Sequence, residues 1–254
     1  MGFGYVPHRT RWKDAFLRMV GYPLLIRRLQ APVIMRMLNP APPHLVLDAG
    51  CGGGYFTFEI ARKSFCVGLD VRIGKNAPLA MQRLPRVFFV EADVLIPPFR
   101  EGTFDRILLS SVLQMVVDDR NLLTECHRIL KNGGELVLSV PETYRYFRKL
   151  NALKGNLNKR FGAAKGYYDG TELVGLLEAH QFNVLEVEHA PKRLGSLFYE
   201  LQLLLQVARV PLPELLMFFL FYPLAFLDRF DRRDAKGCEL IIRARAVRKK
   251  GTSS

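Results

Sequence analysis

Val46-Leu47-Asp48-Ala49-Gly50-Cys51-Gly52-Gly53-Gly54, residues 46–54, is the stretch that decides the fold. An apolar strand ends in an acid and runs directly into a G-x-G-x-G turn. Glycine permits a tight turn and lets a ligand come close to the backbone. The following helix is expected to begin near Gly54, with its free N–H groups facing that ligand. A dinucleotide-binding turn reads G-x-G-x-x-G. Counted from Gly50, the last of those positions holds Tyr55; counted from Gly52, it holds Thr57. The bulky Tyr55 ring argues against a pyrophosphate there. Asp48 also repels phosphate and favours a cationic ligand.

Outward from this turn, short apolar runs alternate with amphipathic stretches. The runs are HLVLDAG (44–50), FCVGLD (65–70), VFFVEAD (87–93), FDRILLSS (104–111) and GELVLSV (134–140). Helical patterns fall at roughly 54–63, 75–84 and 119–130. Such alternation predicts a mostly parallel sheet with helices on both faces. Lys131-Asn132-Gly133-Gly134 reads as a helix stop and a turn into a strand. A further helix is expected over 171–180, capped by Asp169 or Thr171, and two late strands at 183–189 and 238–246. Residues 10–38 read as helical, with Trp12, Phe16, Leu17 and Val20 at helix-like spacing, and Pro40, Pro42 and Pro43 end them.

The ends of the predicted strands carry acids in a meaningful order. Asp70 lies 20 residues after Gly50, at the end of the second strand. From there a carboxylate accepts the ribose hydroxyls of a nucleoside. Asp93 ends the third strand, where an acid can take an adenine amino group. Glycines and three strand-end acids along one sheet edge describe a site for an adenosine joined to a cation.

These residues resemble the class I S-adenosylmethionine-dependent methyltransferases over about 45–189. VLDAGCGGG looks like that family's first motif, GLDV its ribose motif, EADVLIPPF its adenine motif and FDRILLSSVLQMV its fourth-strand motif. LLTECHRILKNGGELVLSVP is similar to the helix and fifth strand that follow. The resemblance implies a Rossmann-like three-layer sandwich on a mainly parallel seven-stranded sheet, with N-terminal helices and an apolar helical insertion before the last strand. It implies S-adenosyl-L-methionine as cofactor. Gly50, Gly52 and Gly54 would line its methionine part, with Asp48 orienting that part. Asp70 and Val71 would meet the ribose, Asp93 and Val94 the adenine, and Ser110 the amino acid moiety. Many members carry Glu-His where this chain has Gln114-Met115.

The division expected from composition is a basic amphipathic cap (1–43), a core (44–189) with a lid at 142–170, an apolar and basic insertion (190–237), and a last strand with a basic tail (238–254). Of 254 residues 49% are hydrophobic and 24% charged, which excludes disorder, collagen and a coiled coil. Four cysteines without a C-x-x-C pair exclude a disulfide framework and a cysteine zinc site, and fit a reducing compartment. Asp118-Asp119 reads as a helix cap rather than a metal pair, so no metal is expected.

The net charge of +13 is uneven. Residues 1–44 hold seven Arg/Lys against one acid and residues 190–254 hold twelve against six, whereas 45–189 hold eighteen against seventeen. Basic flanks that are also rich in Leu, Phe and Pro suit an anionic membrane surface better than nucleic acid. The most apolar run, LLMFFLFYPLAFL (215–227), covers 13 residues, about 20 Å as a helix, against roughly 30 Å for a bilayer core. A monotopic helical pair over 197–210 and 212–227 is the expectation. An apolar block of this size packs on the core, on a second subunit or in lipid.

The leading reading is a methyltransferase that acts on an O, N or C nucleophile of a lipophilic or lipid-linked substrate. It would lie on the cytoplasmic side, peripheral or monotopic at the inner face of the membrane. Candidate bases are His8, Tyr167, Tyr168 and His189. A soluble small-molecule methyltransferase, with the apolar block forming a homodimer or a substrate tunnel, is the alternative. An RNA methyltransferase and a cofactor-binding scaffold without catalysis are weaker readings. No Asn/Asp-Pro-Pro-Tyr/Phe follows the fourth strand and no Pro-Cys pair occurs, which removes the usual nucleobase chemistries.

Overall fold

The computed structural model describes residues 25–73, 85–142, 164–165, 167–207, 223, 226–231 and 235–248. The element order is α1 (Leu25–Leu38), β1 (Leu45–Ala49), α2 (Tyr55–Ala61), β2 (Phe65–Asp70), β3 (Val87–Glu91) and β4 (Phe104–Ser110). A 3-10 turn (Leu113–Met115), α3 (Asp119–Ile129), β5 (Leu130–Pro141), α4 (Gly170–Ala179), β6 (Phe182–His189), α5 (Arg193–Val207), a second 3-10 turn (Phe226–Phe230) and β7 (Glu239–Ala246) complete it. One seven-stranded sheet runs in the order β3-β2-β1-β4-β5-β7-β6. The β1–β2, β1–β4, β2–β3 and β4–β5 pairs are parallel. The last strand, β7, is antiparallel to both β5 and β6. This is the expected Rossmann-like three-layer arrangement.

The apolar runs become strands because successive side chains point to opposite faces and both faces are covered. On one face Val46, Leu108, Val137 and Ile241 pack with Ile34 and Met37 of α1 and with Phe56 and Ile60 of α2. On the other, Leu47, Ile107, Leu109, Leu136, Leu138 and Ile242 pack with Leu122 and Cys126 of α3 and with Leu173 and Leu177 of α4. A polar residue at any of these positions would face a closed core, which is why the runs are almost uninterrupted.

Caps fix the helix starts. Asp118 accepts the N–H of Asn121 at 2.9 Å to begin α3. Asp169, not Thr171, caps α4, accepting from Thr171 and Glu172 at 2.9 and 3.2 Å. Each such bond satisfies an N–H that has no partner inside the helix.

The Lys131–Gly134 stretch differs from its expected form as a simple turn. The chain is already extended at Leu130, which is fully buried and pairs with Phe104. Two residues on, Arg106 pairs with Glu135. Lys131 to Gly134 is therefore extra chain within β5, an irregularity of the kind that bends a strand. Burial of Leu130 draws the strand's start ahead of the glycines.

Between β6 and β7 the described residues form α5 and the second 3-10 turn. Asp228 of that turn accepts the backbone N–H of Gly195 at 3.1 Å and that of Lys192. Ser196 accepts the N–H of Cys238, which ties α5 to the entry of β7. The helical pattern at 75–84, His8, most of the lid and most of the 212–227 run lie outside the described residues. Among the described residues, no helix is long and apolar enough to cross a membrane.

Candidate functional site

The carboxyl ends of β3, β2, β1 and β4 lie side by side, and the predicted motif residues line that edge. The turn after β1 folds back on β2. The N–H groups of Gly50 and Cys51 both donate to the Leu69 carbonyl, at 2.7 and 3.0 Å. Gly50 has φ +75°, and a Cβ there would stand 2.4 Å from Val112 Cγ2. Only glycine meets both conditions. A Cβ at Gly52 or Gly53 would have nothing within 4 Å, so the crest of the turn is open to a ligand.

Asp70 is set by the same turn. Its Oδ2 accepts the Gly52 N–H at 2.8 Å and its Oδ1 accepts the Arg72 N–H at 3.1 Å. These two backbone donors fix the orientation of the Asp70 carboxylate at the strand end. Asp93 accepts the Leu95 N–H at 2.9 Å through Oδ1 and is exposed at the end of the β3 segment. Val71 is exposed, while Val94 is half-buried and packs on the core. The three acids thus follow one another along the edge in the predicted order, on β1, β2 and after β3.

Asp48 is 2% exposed and accepts the Thr57 hydroxyl at 2.6 Å. Burial pushes its carboxyl up from 3.8 to about 6, against the opposing pull of the Thr57 hydroxyl and of Arg27. A carboxylate whose charge burial disfavours gains most when a cation arrives beside it. Burial also pushes the Cys51 thiol up to about 12, so it is no nucleophile at neutral pH.

Arg27 and Thr57 are missed by the sequence reading. Arg27, on α1, donates to the Ser110 and Ser111 hydroxyls, the latter at 3.2 Å, and to the Ser110 carbonyl at 3.5 Å. Its guanidinium also lies 5.8 Å from the centre of the Phe56 ring. Among the described residues it forms no ion pair. Ser110 touches Ser139 at 3.2 Å, and Ser111 holds φ +56°, a strained value for a side-chain-bearing residue. No motif announces Arg27. Its serine partners lie more than 80 residues away, and α1 is an ordinary helix that contains Pro32.

The candidate bases separate. Tyr167 is 46% exposed beside this edge. Tyr168 is 1% exposed, and its hydroxyl donates to Asp119 at 2.9 Å and to the Leu113 carbonyl at 3.3 Å. Burial first, and then Asp119, raise its pKa far above the ordinary tyrosine value. That geometry makes Tyr168 a strut rather than a proton acceptor, a correction to the sequence reading. His189 is engaged with Glu142 at 2.7 Å. Lys165 completes the strut. Its Nζ meets Asp119 at 2.9 Å and lies 4.8 Å from the Tyr168 ring centre, and its N–H donates to the Gln114 carbonyl at 3.1 Å.

The open glycine turn, the exposed-edge carboxylates, buried Asp48 and the Arg27 guanidinium offer donors and charges of the kinds that suit S-adenosylmethionine. Comparison with known proteins finds similarity to methyltransferases. Residues 47–138 match the model of a methyltransferase domain. A demethylmenaquinone methyltransferase of Corynebacterium urealyticum is 35% identical over 105 residues, 41% of this chain and 44% of that protein. A ubiquinone biosynthesis O-methyltransferase of Pseudomonas paraeruginosa is 32% identical, over 40% of this chain and 47% of that protein. The chain spans about half the length of the curated relatives it matches. Among solved structures, the 1,6-didemethyltoxoflavin-N1-methyltransferase of Burkholderia thailandensis, with bound 1,6-didemethyltoxoflavin and S-adenosylhomocysteine, superposes with a TM-score of 0.55. It is 18% identical and covers 93% of this chain and 84% of its own. Residues 47–138 are thus similar to a methyltransferase domain, and the chain shares the fold of solved S-adenosylmethionine-dependent methyltransferases.

Proposed function

We propose that the protein is an S-adenosylmethionine-dependent methyltransferase acting on an O, N or C nucleophile of a lipophilic or lipid-linked acceptor at the cytoplasmic membrane surface. The observation that carries the reading is the row of Asp93, Asp70 and the open Gly50–Gly53 turn along adjacent strand ends, with buried Asp48 behind it. In this reading Asp93 and Val94 hold the adenine, and Asp70 and Val71 the ribose. Gly50, Gly52 and Gly54 cradle the methionine chain. Arg27, steadied by Ser110 and Ser111, takes the cofactor carboxylate as a charge-assisted hydrogen bond. Asp48 compensates the positive charge of the cofactor. The bound cofactor supplies an activated methyl group, and the chain's own task is to align the acceptor with it and keep water away.

The lipophilic acceptor is supported by the quinone-pathway names of the relatives and by the apolar 215–227 run. Ile96, Met115, Val117 and Tyr167 add to this, since all four are exposed at the carboxyl edge of the sheet. The basic flanks favour an anionic membrane surface. The test is incubation with methyl-labelled cofactor and a heat-treated whole-cell extract that retains both lipids and water-soluble metabolites, followed by phase separation. Label in the organic phase supports the reading. Label confined to water-soluble metabolites would leave a methyltransferase with a soluble acceptor, and no label in either phase overturns the activity.

A further inference from the structure

Reading across the sheet edge in strand order, Asp93 follows β3, Asp70 ends β2, the glycine turn follows β1, and the next position belongs to the segment after β4. If adenine, ribose and methionine occupy the first three, the reactive end of the cofactor and the methyl acceptor meet the fourth. Gln114 lies in that segment. Two residues before it, Val112 packs on Gly50, and the Gln114 carbonyl accepts the N–H of Lys165 from the end of the lid. The Gln114 backbone therefore stands between the glycine turn and the returning lid.

The Gln114 side chain is 6% exposed, yet its Oε1 is buried with no hydrogen-bond partner. An unpaired buried carbonyl is costly, and native structures rarely keep one without a use. The neighbours explain why none is found locally. Lys165 Nζ is taken by Asp119 and Glu172, and the Tyr168 hydroxyl by Asp119 and the Leu113 carbonyl. The nearby side chains Val112, Leu113 and Met115 have no strong donor.

We infer that Gln114 is a substrate-contacting residue, whose Oε1 accepts a hydrogen bond from a protic donor at the methyl-transfer centre. The acceptor class this suits is a neutral hydroxyl or an N–H group. Oε1 itself carries no proton to donate, so it offers nothing to an anionic nucleophile. The inference rests on the cofactor reading above.

Sinefungin tests it without knowledge of the acceptor, because it carries an amine where the cofactor carries its transferable methyl group. Its affinity is compared with that of S-adenosylhomocysteine, which has nothing at that position, by calorimetry on wild type, Gln114→Leu and Gln114→Glu. In Gln114→Leu the preference for sinefungin is expected to fall about ten-fold, the scale of a hydrogen bond to a charged donor, with S-adenosylhomocysteine binding kept within about two-fold. Gln114→Glu should restore the preference or raise it. Equal weakening of both ligands, or an unchanged preference in both variants, overturns the assignment of Gln114 alone. Failure of wild type to bind either ligand overturns the cofactor reading and this assignment with it.

Discussion

Replacing Asp48 by Asn should make the ligand-free protein more stable at pH 8 while leaving it nearly unchanged at pH 4. The Asp48 carboxyl titrates near 3.8 in the unfolded chain and at about 6 in the fold, because burial opposes its charge. Between those values the folded state holds a proton that the unfolded state has released. Stability therefore falls as pH rises through this window, and the cost is complete above about pH 6. The shift of roughly two pH units corresponds to about 3 kcal/mol at 1.36 kcal/mol per unit. The amide keeps the shape and can still accept the Thr57 hydroxyl, so little else is lost. Urea unfolding of both proteins at pH 4, 6 and 8 measures the difference, and subtraction cancels every other titrating group. A gain of about 1–3 kcal/mol at pH 8 that vanishes at pH 4 is expected. An Asp48→Asn variant less stable than wild type at pH 8, or a difference independent of pH, would refute the account of Asp48 as a buried, charge-starved carboxyl.

The same geometry makes three further predictions. Arg27→Met should weaken S-adenosylhomocysteine binding by about 1.5–3 kcal/mol and leave 5′-methylthioadenosine, which lacks the carboxylate, unaffected; equal loss for both ligands would remove Arg27 from the carboxylate subsite. Gly50→Ala puts a Cβ 2.4 Å from Val112 Cγ2 at a positive φ, and thermal or urea unfolding should show a loss of about 2–4 kcal/mol from crowding and backbone strain together. Adding Val112→Ala should recover part of it. Tyr168→Phe removes the donor to Asp119 and should cost about 1–2 kcal/mol of stability with cofactor affinity intact; unaltered stability together with a collapse of turnover would return Tyr168 to the role of base.

The sheet was largely legible in the sequence because buried parallel strands admit almost nothing but apolar residues. HLVLDAG, FCVGLD and FDRILLSS could be little else. The cofactor edge was legible for a related reason. A left-handed turn at Gly50, packed against Val112, and carboxylates at consecutive strand ends leave fixed residue types at fixed spacings. Contacts that join distant segments left no such trace. Arg27 reaches Ser110 at the end of β4, and nothing in LIRRLQAPVIMRML distinguishes it from Arg28. Thr57 looks like any residue of a short helix until Asp48 lies beside it. Tyr168 reads as a candidate base because its engagement depends on Asp119 and Leu113, some fifty residues earlier. Gln114 was visible only as a departure from Glu-His, and its unpaired Oε1 is a property of the folded chain.

The central claim is that the Gly50 turn and Asp70 bind an adenosyl sulfur nucleoside. Calorimetry of wild type and Asp70→Ala with S-adenosylmethionine and S-adenosylhomocysteine tests it most directly. One ligand per chain should bind wild type, and the substitution should weaken binding by about 1–3 kcal/mol through lost charged hydrogen bonds. Heat with a nicotinamide dinucleotide and none with either sulfur nucleoside, or full wild-type affinity in Asp70→Ala, would contradict it.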